Sequence, residues 1–206
     1  MMETIVRKRR TVPIETQSLS GKASSQADVT VREGDGLTLL SYDDIPEWSQ
    51  DNEFILYGYR PASNSVVDCF LSWTYVHNET ANIYTHFLPA LCFALMEIFG
   101  YKYFTAHYPD ATTTDRLVFT FFLLAAVACL GLSTTYHTLM NHSAEVSHFW
   151  LRMDYVGIVG LILGDIVSGT YVVFYCQSSI RTVYWGMVVL FSSFCFFQTF
   201  FFRKFN

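Results

Sequence analysis

Three short stretches hold the residues whose chemistry stands out. The first runs His77-Asn78-Glu79-Thr80-Ala81-Asn82-Ile83-Tyr84-Thr85-His86, the second Ser133-Thr134-Thr135-Tyr136-His137, and the third is Asp154 in Met153-Asp154-Tyr155. Ser133 and His137 are four apart, so on a helix they share one face, as do Asn82 and His86; Glu79 and Asn82, three apart, are neighbours as well. Histidines and carboxylates converging in a partly dry site suit zinc. A catalytic zinc takes three protein ligands and keeps one position open for water, whose pKa it lowers to about 7. A carboxylate beside the ligands can orient that water. The plainer alternatives are an interfacial hydrogen-bonding role for His137 and a helix-capping role for Asp154, since acidic groups favour helix N-termini. His107, His142 and His148 fall in connecting segments and read as solvated, while Cys92, Cys129 and Cys195 read as core packing.

What could bring these stretches together is a set of four apolar blocks: 83–104, 117–140, 155–176 and 182–202. The second contains no Lys, Arg, Asp or Glu; the third contains only Asp165. A bilayer core needs about 20 mostly apolar residues per helix, and backbone in lipid must satisfy its own hydrogen bonds. The expected fold class is therefore all-α, an integral membrane helical bundle. The connections at 105–116, 141–154 and 177–181 are short, which makes neighbouring spans antiparallel. The start of span one, the end of span two and the start of span three then share one membrane face. That face holds Glu79, Asn82, His86, Ser133, His137 and Asp154. Glu97 and Asp165 fall near the middle of their spans, where a carboxyl lines a cavity or pairs with a polar neighbour. A channel or transporter is the function class these two suggest.

Composition divides the chain at Asn82. Residues 1–82 carry 7 Lys/Arg and 12 Asp/Glu, and residues 83–206 carry 6 of each, so the whole net charge of −5 sits in the first part. A pI near 5.6 argues against nucleic acid as a partner, and five scattered cysteines do not make a disulfide scaffold. Residues 1–40 are polar and aperiodic and read as a disordered cytoplasmic tail. Arg7-Lys8-Arg9-Arg10 is followed by polar sequence, not the apolar core of a signal peptide. Residues 41–82 read as a juxtamembrane segment. Asp44-Ile45-Pro46-Glu47 and Ser65-Val66-Val67-Asp68 both have capping-box spacing. Val67, Phe70, Leu71 and Thr74 make the stripe of a short amphipathic helix, to lie on the membrane or pack on the bundle.

The three motifs, in this order and spacing, resemble the progestin and adipoQ receptor family, the adiponectin-receptor-like group related to haemolysin III. Ser41–Trp48 and Gly58-Tyr59-Arg60-Pro61 resemble its juxtamembrane region, so the likeness covers roughly residues 41–202. The resemblance implies seven membrane helices, a cytoplasmic N-terminus and a zinc ion near the cytoplasmic face. It makes His137 the second-helix zinc ligand, with Ser133 beside it, and matches Asp154 to the aspartate that holds the zinc-bound water. It implies hydrolysis of a lipid amide such as ceramide, with membrane lipids as surroundings and, in some members, hormone reception. The other two ligands of the pattern form a His-x-x-x-His motif on the seventh helix, and no His follows His148 here. The expectation is thus the first four of seven helices, an incomplete zinc site and a truncated chain. Three alternatives follow: a shortened non-catalytic form that associates with itself or with full-length relatives; a substitute metal site built from Glu79, His86, His137 and Asp154; and the transporter suggested by Glu97 and Asp165.

Overall fold

The computed structural model describes residues 38–201. The tail at 1–37, including Arg7–Arg10, lies outside the described residues. The elements, in chain order, are β1 (Leu40–Ser41), β2 (Tyr57–Tyr59), α1 (Val66–Leu71), α2 (Thr80–His107), α3 (Thr113–Leu139), α4 (Ala144–Val173) and α5 (Ser178–Phe201). Each apolar block overlaps one of the last four helices, and all four are long and apolar enough to cross a membrane. The chain is an all-α membrane bundle. Leu88, Leu95, Val172 and Leu190, among many others, present large apolar side chains outward, as lipid-facing helices do.

Every helix is longer than its apolar block, because hydropathy marks the part that suits lipid and not the part that is helical. The clearest case is α4. The expected connection at 141–154 shrinks to 140–143, and the helix begins at Ala144. Ser143 caps it by accepting a hydrogen bond from the Val146 N–H, and Glu145 sits in the first turn, where the helix dipole favours it. Asp154 is therefore a mid-helix residue and does not cap span three. His148 lies on α4 and His107 in the last turn of α2, not in connections; His142 alone of these three is in a loop. On α3, Thr112 and Asp115 form a full capping box.

Antiparallel α3 and α4 approach closely where side chains are smallest. A Cβ at Gly157 would stand 2.9 Å from Cys129 Cα, and one at Gly164 would stand 2.6 Å from Ala125 Cβ. Membrane helices associate through such small-residue contacts. α5 is tied to α4 by Trp185 Nε1, which donates to Val167 O and Thr170 Oγ1 at 3.0 and 2.9 Å.

The juxtamembrane segment is stitched across the start of α2 and the end of α3, which carry the first two motifs. β2 pairs antiparallel with β1. Gly58, at φ +97°, turns its carbonyl to accept the Asn78 N–H at 2.8 Å; the left-handed φ is one that glycine tolerates best. Asn141 Nδ2 donates to Pro61 O, and the Ser63 and Asn64 N–H groups donate to Asn141 O and His142 O. Ser65 caps α1 as its spacing implies. Asp44–Glu47 forms no α-helix: 3-10 turns at Tyr42–Asp44 and Glu47–Ser49 flank an extended Ile45, because a residue before proline is pushed out of the helical region. On α1, Cys69 is buried against the bundle while Val67, Phe70 and Leu71 face away from it. The apolar stripe is turned outward, where lipid can meet it.

Candidate functional site

Five of the six expected residues meet in two hydrogen-bonded groups, one around Glu79 and one pairing Ser133 with His86, and the histidine rings of the two groups lie side by side. His137 Nδ1 donates to Glu79 Oε2 at 2.7 Å. Asn82 Nδ2 donates to the same oxygen at 2.8 Å, and Asn78 Nδ2 to Oε1 at 2.7 Å. Ser133 Oγ and His86 Nδ1 are 2.9 Å apart. The His86 and His137 rings lie 5.4 Å apart between centroids. The helical spacings explain this. Glu79 and Asn82 sit one turn apart at the start of α2, with His86 one turn further. Ser133 and His137 are one turn apart at the end of α3 and face them.

Asp154 is the sixth. It lies half-buried on α4, within electrostatic reach of His86, Cys129 and Tyr136. Among the described residues it takes no part in either of the two hydrogen-bonded groups that hold the other five. Asp51, before β2, adds a further carboxylate within reach of Glu79 and His137.

Charge and burial shape the cluster. Glu79 is 3% exposed. Burial pushes its carboxyl up, but hydrogen bonds from His137 and Asn82 and the charge of Arg60 outweigh that and hold it below its ordinary value. His77 is pushed down to about 4, first by burial and then by the Arg60 charge, with Glu79 opposing. Its Nδ1 accepts the Glu79 N–H at 3.1 Å.

Arg60 is the residue the motifs miss. It is 5% exposed. Nη2 donates to His137 O at 2.7 Å, and Nη1 donates to Thr138 O at 3.0 Å and Ser72 Oγ at 2.8 Å. These two carbonyls are in the last turn of α3, which has no further helical N–H to offer them. A signal existed in the sequence: Arg60 is the only Lys or Arg between Arg32 and Lys102, in an acidic stretch.

Two expectations are corrected by these contacts. Among the described residues no group of three His, Cys, Asp or Glu could hold a metal ion. Glu79, His86, His137 and Asp154 therefore do not converge as a metal-holding group in this structure. Glu97 and Asp165 share no pathway. Glu97 accepts from Thr120 Oγ1 at 2.9 Å between α2 and α3, while Asp165 is exposed on α4.

Comparison with known proteins settles the family. A family model described as Haemolysin-III related matches residues 74–205. The chain belongs to the haemolysin-III-related family. It is similar to Progestin and adipoQ receptor-like protein 1 of Caenorhabditis elegans, 38% identical over 73% of this chain and 34% of that protein. It is similar to ADIPOR-like receptor IZH2 of Saccharomyces cerevisiae, 36% identical over 95% of this chain and 58% of that protein. Adiponectin receptor protein of Drosophila melanogaster is 34% identical over 85% of this chain and 39% of that protein. This haemolysin-III-related chain thus spans between about a third and three-fifths of the length of these relatives. It is an adiponectin receptor-like integral membrane protein.

Proposed function

We propose that this chain carries the α2–α4 part of a zinc-dependent hydrolase site for a lipid amide of the ceramide type, in a receptor-like protein with its N-terminus in the cytoplasm. One observation supports the reading most: the His137 ring gives Nδ1 to a buried carboxylate, which leaves Nε2 for a metal. Metal-bound histidines are commonly held in this way. The donor chemistry fits zinc at one ligand. The reading therefore requires further ligands from outside the described residues. Zinc, when bound, supplies Lewis acidity.

The residues of this chain have separate roles in that reading. His137 holds the metal. Ser133, hydrogen-bonded to His86, offers a hydroxyl one helical turn from His137 to position the substrate's amide. Asp154 brings a carboxylate from α4 to hold and move the proton of the attacking water. Outward apolar faces on α2–α5 keep the lipid tail of the substrate in the membrane. The test is fatty-acid release from a fluorescent lipid amide by purified protein in nanodiscs. Loss of release in Asp154→Asn and Ser133→Ala, with membrane accumulation intact, supports it. Release unchanged in both variants overturns it.

A second reading is a non-catalytic membrane protein that associates with longer relatives. It is favoured by the absence, among the described residues, of a three-ligand metal cluster. Stoichiometric co-purification with a longer relative supports it, and a chain that remains alone in detergent contradicts it.

A further inference from the structure

The geometry points to Glu79 as the positioning residue that fixes which nitrogen of His137 is offered to a metal. This deepens the zinc reading and rests on it only for the metal's identity.

A ligating histidine has two variables to settle: where its backbone stands, and which way its ring turns with which nitrogen protonated. The structure settles both from the juxtamembrane side. Arg60 Nη2 holds the His137 carbonyl at 2.7 Å and Nη1 holds the next carbonyl, Thr138 O, so the last turn of α3 cannot fray. Glu79 Oε2 receives Nδ1–H at 2.7 Å, which fixes the ring and its tautomer. The carboxylate is itself immobilised. Asn82 Nδ2 binds Oε2 and Asn78 Nδ2 binds Oε1, so both oxygens are engaged and the plane of the group is set. The backbone N–H of Glu79 is held as well, by His77 Nδ1. Glu79 is buried, so its charge is little screened, whereas the His137 side chain keeps 16% of its surface open. The result is a ring whose Nδ1 is committed inward and whose Nε2 is the nitrogen left for a ligand.

The same contacts give the motif His77-Asn78-Glu79-Thr80-Ala81-Asn82 a physical purpose. His77, Asn78 and Asn82 each make a hydrogen bond to Glu79, and Glu79 passes that order to a histidine 58 residues away on another helix.

The experiment is histidine tautomer assignment by long-range 1H–15N correlation on the 206-residue protein in nanodiscs, without metal, at about pH 8, above the ordinary histidine range. Wild-type protein is expected to show His137 as the Nδ1–H tautomer. Glu79→Ala is expected to lose it in favour of a mixture or of Nε2–H. Glu79→Gln, which keeps an oxygen acceptor of the same length, is expected to retain most of it. The signals of His107 and His148 report that the bundle is intact. If Glu79→Ala does not fold, Asn82→Ala is the second variant: it frees one side of the carboxylate and is expected to broaden the His137 signal while its tautomer stays mainly Nδ1–H. A His137 tautomer that is Nε2–H in wild-type protein, or unchanged in Glu79→Ala, overturns the assignment. Zinc titration followed at His137 is the second readout: zinc is expected to perturb the Nε2 signal and leave Nδ1–H in place, and Glu79→Ala is expected to weaken that response by about 10- to 100-fold. The two failures are separable. Wild-type protein with the Nδ1–H tautomer whose Nε2 does not respond to zinc would leave Glu79 as a positioning residue and remove His137 as a zinc ligand.

Discussion

Replacing Arg60 by methionine should destabilise the whole cluster by about 3–5 kcal/mol, the cost typical of breaking a buried charge network by removing one partner. The magnitude follows from the contacts. Methionine keeps most of the apolar stem but removes donors to His137 O, Thr138 O and Ser72 Oγ. Two main-chain acceptors at the end of α3 are then left without a donor, and bonds to charged groups are worth about 1.5–3 kcal/mol each. Glu79, 3% exposed, also loses the cation that helps hold its carboxyl ionised. The assay is thermal or denaturant unfolding in detergent, followed by a bundle signal such as tryptophan fluorescence. The unfolding midpoint should fall by roughly 10 °C. Arg60→Lys should recover only part of this, because a point charge cannot serve three acceptors arranged as a fork. Arg60→Met combined with Glu79→Gln should be less harmful than the sum of the two, since the second change removes the orphaned charge. An Arg60→Met protein within about 1 kcal/mol of wild type would refute the claim that this arginine caps α3 and balances Glu79.

Stability should also fall as pH drops from 6.5 to about 4, because the unfolded His77 takes up its proton across that interval while the folded one stays neutral. The gap corresponds to about 3 kcal/mol, and His77→Asn, which keeps an acceptor for the Glu79 N–H, should flatten this part of the pH profile; an unchanged slope would remove His77 as its source. Glu79 adds a second loss at lower pH: its depressed carboxyl stabilises the fold above the ordinary carboxylate range and ceases to do so as pH falls through its folded value. Gly157→Val and Gly164→Val should each cost about 1–3 kcal/mol by forcing α3 and α4 apart, whereas Gly160→Val, with nothing within 4 Å of its Cβ, should be near neutral by the same unfolding assay.

The spans were legible in the sequence because lipid-facing helices leave long apolar blocks. The gathering of Glu79, Asn82, His86, Ser133 and His137 was legible because one-turn spacing and short connections leave few other arrangements. Asp154 was legible as a residue of interest but not in its place. Glu145, His148 and Arg152 interrupt the apolar pattern of α4 without interrupting the helix, so the apolar block begins eleven residues after the helix does. Arg60 was not legible as part of the site. Its contacts to His137 and Thr138 span 77 and 78 residues, and they depend on a turn at Gly58 and a thread of main-chain hydrogen bonds that no periodicity announces. The two capping-box spacings show the same limit at short range: Ser65 caps a helix, while Ile45 and Pro46 are extended and separate two 3-10 turns.

The account's central claim is that His137 binds zinc through the nitrogen that Glu79 leaves free. Zinc titration of the protein in nanodiscs, followed by the 15N signals of His137, tests it most directly, comparing wild type with Glu79→Ala and with His107→Ala at the opposite end of α2. The account predicts that zinc perturbs His137 Nε2 and leaves Nδ1–H in place in the wild type and in His107→Ala, and that the response weakens in Glu79→Ala. A response at Nδ1, or none at His137 in the wild type, would contradict it.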